Sequence, residues 1–130
     1  MTGPECIVNV AELALLVGST TCIAKSGRVS NLPQEPSNNW QNAVDGNLDT
    51  YAISDVFNPD AFIEANFDVK NTISTVRVVT RRDGLGSRIL GCTVEVLDTT
   101  TRQVLWTSGT ISGSVPTDYI YNWSVSIPPV

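Results

Sequence analysis

The feature that most constrains this chain is a two-residue alternation of apolar and polar side chains through its second half. Ile63, Ala65, Phe67 and Val69 alternate with Glu64, Asn66 and Asp68. Cys92, Val94 and Val96 alternate with Thr93 and Glu95, and Tyr119, Tyr121, Trp123, Val125 and Ile127 with Asn122, Ser124 and Ser126. A period of two sorts side chains onto the two faces of a pleated strand, which a helix cannot do. Turn formers separate these runs, Pro128-Pro129 stops the last one, and helix signals are almost absent. The pattern predicts an all-β sandwich.

The first half is less regular. The apolar run Val8 to Val17 is interrupted by Asn9 and Glu12 and is far too short to cross a bilayer. Its β-branched residues favour an extended segment over 5–17, against the helical propensity of Ala11 to Leu16. Thr20 to Ala24 reads as a short strand. Residues 26–39 read as a loop, with Gly27, Pro33, Pro36 and Asn39 among its turn formers. Trp40 follows, and then the Asp45-Gly46 turn. A chain of 130 residues makes one domain, able to bury a core without metal or disulfide support.

Composition narrows the function. A net charge of −5 argues against nucleic acid or an anionic membrane as partner. The chain contains no histidine, which removes the Ser-His-Asp and Cys-His nucleophile systems and the commonest zinc ligand. No pair of carboxylates is brought together by the pattern, so the expectation is a protein that is not an enzyme. Three cysteines, Cys6, Cys22 and Cys92, allow one disulfide and a leftover thiol, or three buried small hydrophobes. The N-terminus has no legible signal peptide. Asn122-Trp123-Ser124 fits the glycosylation pattern, on three residues only.

The candidate site is the stretch Val76 to Leu90, a strand running into a glycine-bearing loop. Four of the eight cationic residues, Arg77, Arg81, Arg82 and Arg88, lie in it. Arg81 and Arg88 either brace a tight turn with Asp83 or present guanidinium donors to a polar ligand.

Two blocks together carry a resemblance. Asn42-Ala43-Val44-Asp45-Gly46-Asn47 and Val78-Val79-Thr80-Arg81-Arg82-Asp83 resemble the discoidin, or coagulation-factor C-type, superfamily, and most closely its fucose-binding F-type lectins. The similarity covers residues 40–97. It implies a jelly-roll β-sandwich, galactose-binding-domain-like, whose ligands sit in loops at one end. Arg81-Arg82-Asp83-Gly84-Leu85-Gly86-Ser87-Arg88 meets the Arg-x-Asp-x-x-x-x-Arg part of the lectin sugar motif. The resemblance therefore implies Arg81, Asp83 and Arg88 as sugar-binding residues, and structural calcium held by Asn42, Asp45 and Asn47 with Asp118 as the late acidic ligand. Oxygen-only ligands suit calcium, although an ordinary Asp-Gly turn closed by Asp45 explains the same residues.

The chain departs from that family in four places. Ser54 stands where the motif's histidine is spaced, and Gly84 and Leu85 replace its adjacent cysteine pair. The family's final strand has no counterpart after Ile127, and residues 1–18 form an N-terminal extension ahead of a sandwich spanning 19–130. A missing strand leaves an edge that can template another chain, so residues 5–17 are expected to fill the gap in their own subunit or in a neighbour.

Two functions follow as expectations. One is an extracellular, lectin-like carbohydrate-binding module that attaches to a glycan or glycoprotein surface through residues 81–88. The other is a structural subunit of an extracellular filament or virion surface that forms oligomers by strand addition. A chain starting at Met1 without a legible signal peptide suits the latter.

Overall fold

A computed structural model describes residues 8–30, 39–54 and 61–130. Cys6, residues 5–7 of the N-terminal run and most of the 31–39 turn formers lie outside the described residues. The described residues form ten strands in chain order: β1 (Asn9–Val10), β2 (Glu12–Val17), β3 (Thr20–Thr21), β4 (Ala24–Val29), β5 (Ala52–Ile53), β6 (Ile63–Phe67), β7 (Ile73–Val79), β8 (Thr93–Leu97), β9 (Val104–Thr110) and β10 (Ile120–Ile127). Two short 3-10 helices, Trp40–Ala43 and Gly86–Ile89, complete the set. The fold is all-β, its pairs are antiparallel, and the arrangement is compatible with a β-sandwich.

The largest sheet is four-stranded, in the order β10-β7-β2-β3. Its register explains why the N-terminal run is a strand. Leu13 lies opposite Val78 and Leu15 opposite Val76, while Tyr121 and Trp123 take the same two positions from the other side. Three strands thus present one continuous apolar face to the core, a gain that outweighs the local helical propensity of Ala11 to Leu16. The core proper is built from Val8, Val10, Ile63, Val76, Val78, Ile89 and Cys92, each at most 3% exposed. The N-terminal segment is therefore an interior member of its own sheet, paired with β7 along residues 12–16 and with β3 at Leu16 and Val17.

Two elements contradict the sequence expectation. The strand expected over Thr20 to Ala24 breaks at Cys22 and Ile23, so that β3 keeps only Thr20 and Thr21 and Ala24 opens the next strand. Residues 24–29, read in large part as loop, form β4 and pair with β6. Gly27 signals close approach here rather than a turn: a Cβ on it would stand 2.5 Å from the Trp40 ring and 2.7 Å from the Glu64 carbonyl oxygen. Glycine inside a strand often marks such a contact. Trp40 in turn is held by its own helix, whose first turn is capped by the Asn39 side chain accepting from the Gln41 N–H at 3.0 Å. Gly27 and Trp40 together anchor the start of the 39–50 loop to β4.

Cys22 is half-buried and Cys92 buried. Asn122 accepts from Arg77 Nε at 2.9 Å on the exposed face of β10 and β7. Among the described residues, no helix is long and apolar enough to cross a membrane.

Candidate functional site

The 81–88 loop is built around Arg81. β7 ends at Val79, and Thr80 is fully buried, its hydroxyl donating to the Gly86 carbonyl at 2.8 Å across the loop. Gly86 closes so tightly that a Cβ would stand 2.7 Å from the Arg81 carbonyl oxygen. That closure points the Arg81 side chain inward, where it is only 7% exposed. Its Nε and Nη2 donate to the two carboxylate oxygens of Asp83, and Nη1 donates to Asn9 Oδ1 at 3.1 Å. The guanidinium lies over the Tyr51 ring, 3.7 Å from its centroid, a cation–π contact that supports the same orientation. The hydrogen bonds from Arg81 hold the Asp83 carboxyl below the usual carboxylate range.

Asp83 itself remains about half exposed, with 47% of its side chain in water. It stands on the rim of a small hollow of about 100 Å³, walled by Leu48, Asp49, Tyr51, Arg81, Arg82 and Asp83. Arg82 crosses that rim to Asp49 at 2.8 Å, and both side chains are well exposed. The expected trio is therefore split. Arg81 and Asp83 come together. Arg88 does not line the hollow; it is half-buried on the Gly86–Ile89 helix, and its carbonyl accepts a long contact of 3.7 Å from the Cys92 thiol. Ser54 is also elsewhere: it is buried, its hydroxyl accepts the Val8 N–H at 2.9 Å, and its own N–H donates to the Val8 carbonyl at 2.8 Å. It fastens the N-terminal segment rather than facing a ligand.

The 42–50 loop has a different character. Three oxygens converge on one hydroxyl. Thr50 Oγ1 lies 2.5 Å from Asp45 Oδ2, 3.0 Å from the Asn47 carbonyl and 3.5 Å from the Asn42 carbonyl. A hydroxyl has one proton to donate, so it cannot serve three acceptors fully. The remaining side-chain oxygens shape the turn: Asp45 Oδ1 accepts the Asn47 N–H and Asn47 Oδ1 accepts the Asp49 N–H, each at 2.9 Å. Asn42 Nδ2 donates to the Tyr51 carbonyl at 3.2 Å, which ties this loop to the wall of the hollow.

Asp118 caps its own turn by accepting the Ile120 N–H at 3.1 Å, and no hydrogen bond joins it to the 42–50 loop among the described residues. Glu12 stands at the start of β2. Burial pushes the Glu12 carboxyl up; Arg77 opposes this, and the neighbouring Asp45 charge adds to it. Carboxylate, carbonyl and hydroxyl oxygens of the kind gathered at Thr50 suit a hard cation, although the Asn47 carbonyl already accepts the Thr50 N–H at 3.3 Å. Among the described residues, no group of three or more His, Cys, Asp or Glu side chains gathers as a metal cluster. The oxygens here are mostly carbonyl and hydroxyl.

Four residues of this arrangement, Asn9, Glu12, Thr50 and Tyr51, were not singled out from the sequence. Asn9 and Glu12, the polar breaks in the apolar N-terminal run, were the visible signal. Comparison with protein families, with curated proteins and with solved structures found no match to this chain.

Proposed function

We propose that the chain is a non-enzymatic, jelly-roll binding module that takes a polyhydroxylated ligand, the terminal unit of a glycan, at the hollow between residues 48–51 and 81–83. The observation that carries the reading is the locked Arg81–Asp83 pair. A carboxylate held ionised and half exposed accepts hydroxyl protons, and the exposed Arg82 beside it donates to hydroxyl oxygens. Tyr51 and Leu48 supply apolar wall for the ring face of a sugar. The hollow is smaller than the roughly 300 Å³ at which enclosing ligand pockets begin, so only part of a sugar would enter it. Recognition would then be shallow and of a terminal residue, which suits attachment to an extracellular or virion-borne glycoprotein surface.

Calcium is part of the proposal. Asp45, Thr50 Oγ1 and the Asn42 and Asn47 carbonyls would hold it. Bound there, the ion would stiffen the loop that carries Tyr51.

A glycan array read with the native chain and with Arg82→Ala and Asp49→Ala tests the site without removing the buried brace. Saturable binding weakened by both changes is the expected result; no binder, or binding indifferent to both, overturns it. The alternative reading, a subunit that assembles through strand edges, is favoured by the eight-residue β10, which pairs with β7 on one side only among the described residues. Sedimentation velocity decides it, since a monomer at high concentration removes that reading.

A further inference from the structure

One motif of the sequence has no part in the hollow at Arg81. Asn122-Trp123-Ser124 is the acceptor pattern for N-linked glycans, and no other asparagine of the chain is followed by x-Ser or x-Thr. The triplet by itself selects little, because a folded chain often leaves no room for a glycan on such an asparagine. The place of its side chains in the fold is what gives it weight.

β10 alternates across its length. Tyr121, Trp123 and Val125 pack against the core, while Asn122, Ser124 and Ser126 are exposed on the outer face. The asparagine and the serine of the triplet therefore share the side that faces water. The bulky middle residue is turned away from them, its ring 5.6 Å from that of Trp106 and 5.7 Å from that of Tyr121, centroid to centroid. β10 is also an end strand of the four-stranded sheet, so that Asn122 lies at its margin and not at its centre.

The amide is oriented to suit. Asn122 stands opposite Arg77 in the register, and Arg77 Nε donates to Asn122 Oδ1 at 2.9 Å. A guanidinium carries no acceptor, so only the amide oxygen can meet it, and this fixes which way the amide is turned. Nδ2, the atom that takes a glycan, is left without a hydrogen-bond partner among the described residues. Two other asparagines differ: Asn42 Nδ2 donates to the Tyr51 carbonyl at 3.2 Å and Asn66 Nδ2 to Ser26 Oγ at 3.0 Å. Substitution at those nitrogens would disturb a hydrogen bond of the fold. At Asn122 it disturbs none, and the bond from Arg77 to the oxygen survives it.

We infer that Asn122 is the acceptor of an N-linked glycan. In the transfer, Asn122 Nδ2 attacks the anomeric carbon of a polyisoprenyl-diphosphate oligosaccharide. The new nitrogen–carbon bond replaces the carbon–oxygen bond to the diphosphate, which leaves on its lipid, and the amide nitrogen gives up one proton. No atom is oxidised or reduced. The glycan adds a bulky, solubilising group to the outer face of β10. This inference and the hollow at Arg81 do not depend on one another.

The test carries the full chain into the secretory pathway of a eukaryotic cell behind a cleavable leader. The expected product is a heavier species that peptide-N-glycosidase collapses, with the linked asparagine converted to aspartate in the tryptic peptide that follows Arg102. Asn122→Asp, which keeps an oxygen for Arg77, and Ser124→Ala should each abolish the heavier species without reducing secretion. Adding Thr99→Asn to the Ser124→Ala chain places an acceptor pattern in the exposed turn at 99–101 and should restore a glycosidase-sensitive species. That control shows that the chain meets the transferase. A native chain secreted without glycan while the control carries one would overturn the inference. A heavier, glycosidase-sensitive species that persists in Asn122→Asp would overturn it equally.

Discussion

The two loops that meet at Tyr51 solve opposite problems. In the 81–88 loop the strongest donor, Arg81, is satisfied from inside: three of its N–H groups reach Asp83 and Asn9, and its flat face lies on Tyr51. In the 42–50 loop three oxygens surround the single Thr50 hydroxyl, and the Asn47 carbonyl also accepts the Thr50 N–H at 3.3 Å. The first is a closed brace. The second is a turn held by its own oxygens. A motif rich in arginine draws attention in the sequence, but much of its chemistry is already used in holding the chain, whereas the less conspicuous loop gathers carboxylate, carbonyl and hydroxyl oxygens around one proton. Two carboxyls also differ: hydrogen bonds from Arg81 hold Asp83 below its usual range, while burial pushes Glu12 above it.

The largest expected effect tests the brace. Arg81→Ala leaves Asn9 buried without its guanidinium partner and should destabilise the fold by about 3 kcal/mol, the low end for breaking a buried pair because Asp83 keeps contact with water. Urea denaturation measures it. The adjacent Arg82→Ala, which breaks only an exposed pair, should stay within about 0.5 kcal/mol. Equal effects from the two changes would erase the distinction between an internal brace and an exposed rim.

The next effect tests the oxygen loop and the calcium proposed there. Calcium at a hundred times its dissociation constant should stabilise the native chain by about 2.7 kcal/mol, read as a rise in melting temperature. Asp45→Ala and Thr50→Val should each remove most of that rise, while Asp118→Ala should leave it intact. An Asp118-dependent rise would return the acidic role to that residue. Gly27→Ala comes third: forcing a methyl group against Trp40 and the Glu64 carbonyl should cost about 2 kcal/mol, as overpacking does. It should also loosen the 39–50 loop, visible as faster amide exchange there.

The smallest effect separates the carboxylates by pH, in calcium-free buffer. Glu12 has a raised folded pKa, so its charged form works against the fold, and that penalty fades as pH falls through the raised value. Glu12→Gln should therefore raise the melting temperature at neutral pH and lose its advantage in acid. Asp83 runs the other way. Its contribution is present above the ordinary carboxylate pKa and disappears as pH falls through the lowered folded value. Melting curves of Glu12→Gln and Asp83→Asn across this range should diverge in opposite directions, and parallel curves would break the comparison.

Several of these elements were legible beforehand, for a definite reason. The alternating runs became β6, β8 and β10 because each has one face against the core, and a period of two records that directly. The apolar run before residue 18 became β2 because Leu13 and Leu15 match Val78 and Val76, a match between distant segments that local propensity does not contain. β4 was misread because Gly27 carries a turn residue's signature, while its actual cause is the ring of Trp40. The Arg81–Asp83 pairing could be anticipated because the two residues are neighbours in the chain.

The sequence by itself determined the strand-forming pattern, the absence of histidine chemistry and the local pairing within 81–83, since each depends on identity or on separations of a few residues. The tertiary structure alone decided which partners complete the sites. Asn9 and Tyr51 reach Arg81, Asn42 ties the oxygen loop to Tyr51, and Asp118 stays in its own turn. These relations join segments tens of residues apart, and only the packing of one apolar face on another fixes where such segments meet.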